Sequence, residues 1–411
     1  MRIGVISTGS HGDIHPYIAI GRALAARAHE VIFIASPYFQ PDIERAGLDF
    51  RPLAPEIDVA PLMRNPDLMH PRRGPKMVFR LLADSTPRVL DALEQLHAEA
   101  PLDALLAHHI VLGAPWFADR RAVPLASGVL APMLWFNPAD PVPALQRRPG
   151  GAALAWARLQ ERIVRKWMPV TVDRWVNGVR RRCGLAPQPG AFMKTFLGGD
   201  VRLGLWSAAL RGPLPGDPEG VICGFPFYDR AEQTLDPAIE RFCADGPAPV
   251  VFSLGTAASH LPGDFYELAA AACARAGVRG LLLTTTPDTA PSKLPPGVAA
   301  FGYAPFSHVL PRAGAFVCHG GIGSIAQGLR AGCPTLVVAF AHDQFNNGVR
   351  IQQAGAGLMI RRPRLTIHRL SSLLRRLLDD QSMRSCARQM RSHMAHEDGA
   401  ERAADEIERI A

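Results

Sequence analysis

His319-Gly-Gly-Ile-Gly-Ser-Ile-Ala-Gln327, followed downstream by Asp343-Gln344-Phe345-Asn346-Asn347, decides how this chain is read. The apolar run Ala313–Cys318 before it has the length and composition of a buried strand, and Ser324–Arg330 after the glycines has those of a helix. A glycine-rich turn between a parallel strand and a helix N-terminus is an anion site, because unpaired N–H groups point outward there and the helix dipole adds positive potential. His319 ends the strand, where open α/β sheets hold their ligands. A bound diphosphate is the expectation, with Asp343 and Gln344 reading whatever is attached to it.

The same alternation runs through the rest of the chain. Arg2–Ser7, Glu30–Ala35, Leu48–Leu53 and Asp103–Ala107 read as strands separated by helices, with further strands at Val123–Ala126, Val201–Leu205 and Val221–Gly224. A second run starts at Pro249–Leu254 and continues through Arg279–Thr284, Val298–Phe301, Thr335–Val338 and Gly357–Ile360. Such alternation gives parallel sheets with helices on both faces. At 411 residues two cores are expected. The fold class is therefore α/β, with two Rossmann-like domains facing each other across a cleft. The boundaries are a first half over 1–228, a linker over 229–248, a second half over 249–385, and C-terminal helices over 386–411 that can pack back on the first half. Met63–Lys76, rich in Pro, Arg and Met, reads as an irregular loop, and Gly255-Thr256 as a turn.

Composition excludes several classes. Seven scattered cysteines without a C-x-x-C pair suit a reducing cytoplasm and argue against a disulfide framework or a zinc site. The first residues read as a strand rather than a signal peptide. No apolar run reaches the roughly 18–20 residues of a membrane span. The net charge of +8 is uneven: Leu145–Leu185 carries ten basic residues against Glu161 and Asp173, with Trp156, Trp167 and Trp175 among them. Two readings stand. One is a peripheral helix on the anionic inner face of a membrane. The other is a solvated helical face whose tryptophans pack inward. No nucleic-acid-binding motif accompanies the charge.

The first strand runs into Gly9-Ser-His-Gly-Asp13-Ile-His15-Pro16. The dinucleotide pattern G-x-G-x-x-G is absent, so phosphate is not expected in this half. Asp13 has two readings, a helix cap or a carboxylate presented to the crevice.

With these residues in place, the whole chain resembles the two-domain nucleotide-sugar glycosyltransferases, the GT-B group holding UDP-glycosyltransferases, sterol glucosyltransferases and glycopeptide glucosyltransferases. Gly9 through Pro16 is similar to that family's G-S-x-G-D-x-x-P. His319 through Gly332-Cys-Pro334 to Asn347 is similar to its H-x-G-x-x-[ST]…[EQ]…G-x-P…D-Q-x-x-N. Gly263-Asp-Phe-Tyr266, Tyr303-Ala-Pro305, Gly320-Gly-Ile-Gly323 and Ala341-His-Asp-Gln-Phe345 narrow the likeness toward the rhamnolipid-forming rhamnosyltransferases.

The resemblance implies an inverting transfer of a sugar, of dTDP-rhamnose or UDP-glucose type, to a hydroxyl of a hydrophobic acceptor, with no cofactor and no metal. It implies that His319, Gly320, Gly321, Gly323 and Ser324 hold the diphosphate, with Gly255 and Thr256 approaching from the other side. Gln327 would reach the ribose, Tyr303 would flank the base, and Asp343 and Gln344 would bond the sugar. Asp13 stands where plant-type relatives have their catalytic His, and His108 aligns with the Asp that orients it. A swapped Asp13–His108 pair, Asp13 alone, and help from His15 all remain open. A nucleotide-sugar epimerase or a non-catalytic nucleotide-sugar-binding protein would share the fold.

Overall fold

Short apolar runs flanked by amphipathic helices close here into two parallel sheets. The computed structural model describes residues 1–53, 62, 64–137, 140, 170–229, 234–284 and 289–411. The first half contributes β1 (Arg2–Ile6), β2 (Glu30–Ala35), β3 (Asp49–Pro52), β4 (Ala104–His108), β5 (Leu125–Val129), β6 (Val201–Gly204) and β7 (Val221–Ile222). They lie in the order β3-β2-β1-β4-β5-β6-β7, every neighbour parallel. The second half contributes β8 (Val250–Ser253), β9 (Gly280–Leu283), β10 (Val298–Phe301), β11 (Ala315–Cys318), β12 (Thr335–Ala339) and β13 (Gly357–Arg361). Their order is β10-β9-β8-β11-β12-β13, again all parallel. Central strands such as Ala-Leu-Leu-Ala-His and Ala-Phe-Val-Cys are buried at every position. That follows from right-handed crossovers, which place helices on both faces of a parallel sheet.

The strand order reverses between β1 and β4, and again between β8 and β11. At such a reversal the loops part in opposite directions and leave a crevice at the strands' carboxyl ends. The loops that open there are those carrying Asp13, His108, Gly255 and His319.

The two halves are joined by more than the linker. The helix Gly399–Ile410 buries Ala403, Ala404 and Ile407 in the same core as Ile14, Ile18 and Leu24. Arg27 reaches Glu401, Asp405 and Glu408 of that helix at 2.6–2.8 Å. On the other side of the cleft, Arg350 meets Asp140 at 2.6 Å, and Asp140 also pairs with Arg211 at 3.1 Å.

Two readings from sequence are corrected, and a third is met only in part by the described residues. The described residues 64–76 of the stretch Met63–Lys76 are not irregular: Asn65 caps a 3-10 turn Pro66–Met69, and a helix runs from Arg73 to Glu99; Met63 lies outside the described residues. Gly74-Pro75 looks like a breaker, but both residues lie in the helix's first turn, where a missing N–H costs nothing. Gly255-Thr256 is the start of one helical turn, Gly255–Ala258. In the basic segment, residues 145–169, with Trp156 and Trp167, lie outside the described residues. Residues 170–182 are helical, and Trp175 packs inward against Phe79 with ring centroids 5.2 Å apart. No described helix is long and apolar enough to cross a membrane.

Candidate functional site

On the second half, the glycines are fixed by one imidazole. His319 leaves β11 and lies between two loops. A Cβ on Gly255 would sit 2.6 Å from its Cε1, and a Cβ on Gly321 would sit 2.5 Å from its Nε2. Gly255 also has φ +63° and Gly320 φ +94°, conformations that L side chains rarely adopt. The His319 side chain is buried, and burial holds its pKa down to about 4, so the ring is neutral. Its Nδ1 has no hydrogen-bond partner. A buried polar atom left unpaired costs about 1–3 kcal/mol, which a ligand's oxygen would offset.

The helix Ile322–Ala331 starts at Gly321. Its first N–H groups have no partner within the helix, and Gly323 and Ser324 belong to that turn. Gln327 follows one turn later, half-buried. Thr256 lies in the facing turn, and Tyr303, 66% exposed, stands just beyond β10.

At the end of β12 the two residues expected to read a sugar behave differently. Gln344 is buried, and its Oε1 accepts from the N–H groups of Phe340 at 2.7 Å and Ala341 at 3.0 Å. Its Nε2 faces Met69 Sδ of the first half at 3.9 Å. The amide is therefore engaged in shaping the loop. Asp343 Oδ2 accepts from Asn347 Nδ2 at 2.6 Å, and the same Nδ2 donates to the Gly320 carbonyl at 3.0 Å. Asn347 thus ties the acidic loop to the glycine loop. Its position one turn beyond Asp343 on the same helix is the sequence signal for that role. Burial pushes the Asp343 carboxyl up, and the nearby charge of Asp13 adds to this.

On the first half, Asp13 holds both roles that the sequence left open. Its Oδ2 accepts from Ser10 N at 2.7 Å, one bond of a capping box whose other bond runs from the Asp13 N–H to the Ser10 side chain, and it also accepts from Ser10 Oγ at 2.9 Å. Gly9 makes room for this: at φ +128°, a Cβ there would fall 2.4 Å from Asp13 Oδ2. The residue is half-buried. Burial pushes its pKa up, while Ser10 and His342 draw it down.

His108 ends β4 but makes no hydrogen bond to Asp13. Its Nδ1 lies 3.3 Å from the Thr8 carbonyl, an acceptor, so Nδ1 carries the proton. Burial keeps the ring neutral, with its pKa down to about 4. The paired Asp13–His108 arrangement is not what this geometry holds. His15 turns away from Asp13 as well. With His11 it faces Asp42, their Nε2 atoms 3.6 and 3.5 Å from Asp42 Oδ2. Among the described residues these three form the one group whose spacing could hold a metal ion. Asp42 Oδ1 already pairs with Arg45 at 3.0 Å, which balances its charge.

His342 went unnoticed in the sequence as a site residue. It has φ +55°, and its Nε2 lies 2.8 Å from the Leu68 carbonyl across the cleft. Nothing about a histidine next to Asp343 signals a left-handed backbone.

Comparisons with known proteins bear on the family and the fold. Residues 3–111 match the glycosyltransferase family 28 N-terminal domain, and residues 281–410 match the erythromycin biosynthesis protein CIII-like C-terminal domain. The chain is 32% identical over 439 residues to O-mycaminosyltylonolide 6-deoxyallosyltransferase of Streptomyces fradiae, spanning 100% of this chain and 98% of that protein. It is 26% identical over 418 residues to a sterol 3-beta-glucosyltransferase of Arabidopsis thaliana, spanning 97% of this chain and 64% of that longer protein. Among solved structures, the glycosyltransferase VinC in complex with dTDP shares the fold, with a TM-score of 0.70, 18% identity, and coverage of 100% and 99% of the two chains.

Proposed function

The chain belongs to the two-domain, nucleotide-sugar-dependent GT-B glycosyltransferases, and from that premise we propose that it moves a hexosyl group to a hydroxyl of a hydrophobic natural-product or sterol-like acceptor, with inversion and with Asp13 as general base. The observation that carries the proposal is the meeting of two switch points. The loop after β1 carries a carboxylate, and the loop after β11 carries a buried imidazole with an unpartnered Nδ1 and a helix N-terminus.

The acceptor oxygen attacks the anomeric carbon. The bond from that carbon to the diphosphate breaks, and its electron pair leaves with the nucleotide. The acceptor's proton passes to Asp13. Burial raises Asp13, and a carboxylate with a raised pKa is the stronger base. Charge developing on the diphosphate is met by N–H groups already aimed at it and by the neutral His319 ring, which donates rather than acting as a cation. These donors do the work that a divalent ion does elsewhere, so EDTA is expected to leave turnover unchanged. The donor is proposed to be a dTDP-6-deoxyhexose or UDP-glucose. Support comes from the 6-deoxyallosyl and glucosyl transfers in the relatives' names and from the dTDP complex of a protein with this fold. A polyketide- or sterol-like acceptor rests on the same names.

A thermal-shift series with dTDP-rhamnose, dTDP-glucose, UDP-glucose and the free nucleotides tests the donor, since binding to the native state raises stability. Asp13→Asn is expected to lower kcat by about 10²–10⁴-fold while leaving donor affinity within about twofold. Turnover at the wild-type rate would remove Asp13 from the mechanism.

A further inference from the structure

We propose that His342 is a positioning residue of this site: a clasp between the halves whose imidazole, next in the chain to Asp343, fixes the turn Pro66–Met69 over the donor loop. The clasp itself stands on geometry alone; its effect on chemistry rests on the reading of Asp13 as the base.

Three observations converge on it. The first is the bond. His342 Nε2 lies 2.8 Å from the Leu68 carbonyl. Because a carbonyl only accepts, Nε2 carries the proton, and the tautomer and ring orientation are fixed by a residue of the other half. The second is the backbone. His342 is one of four described non-glycine residues with positive φ, at +55°. Such a conformation persists in a non-glycine residue only where its surroundings enforce it. Here Gln344 Oε1 enforces it by gathering the N–H groups of Phe340 and Ala341. The third is the fit of the opposite wall. Gly74 opens the helix Arg73–Glu99, and a Cβ there would lie 3.1 Å from His342 Cε1 and 2.3 Å from the Leu68 carbonyl. The first half is thus cut back where the histidine enters.

Electrostatics gives the clasp its consequence. His342 draws both Asp13 and Asp343 downward. The other groups facing Asp13 are the Ser10 N–H and hydroxyl, Asp343 across the cleft, and the Tyr17 phenol, which is pushed up partly by Asp13. Beside these groups, the His342 imidazole is the one that draws Asp13 down from across the cleft. Removing it raises Asp13, so the acid limb of kcat/KM moves to higher pH.

His342→Asn and His342→Gly separate the parts, since asparagine tolerates the left-handed region and glycine adopts it freely. Hydrogen exchange over residues 65–74 is followed with β1 as the internal reference. Turnover is followed as nucleotide release from the donor chosen by the thermal-shift series. The expected result is faster exchange over 65–74 in the glycine variant, a fall in kcat of up to about 100-fold, and an acid limb at higher pH in both variants. Unchanged exchange overturns the clasp. Faster exchange with an unmoved acid limb overturns the positioning role and leaves a structural contact only. Wild-type turnover by Asp13→Asn would defeat the reading of Asp13 as the base while leaving the exchange result to decide the clasp.

Discussion

Gly321→Ala is the sharpest test of the donor side. Gly321 has φ −59°, so alanine fits the backbone, and the change at this helix-capping position costs about 1 kcal/mol or less. The added Cβ would lie 2.5 Å from His319 Nε2, well inside van der Waals contact, and Gly255 closes the opposite side of the ring. The imidazole must therefore leave its position. If it donates to the diphosphate there, the loss is that of a hydrogen bond to a charged group, about 1.5–3 kcal/mol. At 1.4 kcal/mol per decade, dTDP or UDP binding weakens about 10- to 150-fold. Gly255→Ala acts on the same ring but adds the strain of φ +63°, so it also loses about 1–2 kcal/mol of stability.

Isothermal titration of dTDP and UDP against wild type, Gly321→Ala, His319→Ala and the double variant reads the effect directly. In the His319→Ala background the extra methyl should cost nothing further, because its target is gone. Wild-type affinity in Gly321→Ala would refute the reasoning, as would full additivity in the double variant, which would mean that the methyl blocks the nucleotide itself. Since burial keeps His319 neutral, the difference between wild type and His319→Ala should stay constant from pH 6 to 8. A difference that fades through that range would indicate a cationic histidine.

The other predictions concern pH and the joints between the halves. Burial raises Asp13, so the acid limb of kcat/KM should lie above the usual carboxylate range; a pH–rate profile that stays flat down through that range would contradict this. Arg350 is 6% exposed and pairs with Asp140, so Arg350→Ala should destabilise the chain by about 3 kcal/mol, read as a lowered urea midpoint. In the C-terminal helix, Ile407→Ala should cost about 2–5 kcal/mol because Ile407 is fully buried. Arg27→Ala should cost about 1 kcal/mol or less, its three acidic partners being largely solvent-exposed. Equal losses in the same denaturation series would mean that the ion cluster, not apolar burial, holds that helix.

Which of these features the sequence displayed follows from what each depends on. The strands were legible because burial on both faces forces continuous apolar runs, and the parallel order follows from their alternation with helices. The ligand loops were legible because glycine is demanded where a ring or a strand side chain approaches the backbone, as His319 does at Gly255 and Gly321 and Val337 does at Gly320. Side-chain commitments were not legible. Gln344 sits in the motif of a sugar reader, yet its amide holds two backbone N–H groups of its own loop. His108 was placed correctly at the end of β4, yet its proton points to Thr8. A motif fixes where a residue stands in the chain; it does not fix which of several nearby acceptors its side chain takes.

Asp13 shows why the two readings of a residue need not compete. Both Ser10 donors converge on Oδ2, which fixes the carboxylate rotamer and satisfies the helix N-terminus. No described protein group donates to Oδ1. One oxygen therefore anchors the side chain, and the proposed mechanism assigns the other to the acceptor's hydroxyl. Desolvation opposes the two Ser10 bonds and outweighs them, so the carboxyl ends above its ordinary range. A cap on an exposed helix would keep the bonds and lose the desolvation; a base on a mobile loop would keep neither. Placing the first turn of the helix His11–Ala26 at a sheet's switch point supplies both, and under the proposed mechanism the capping box that looks like local stabilisation also aims the proposed base.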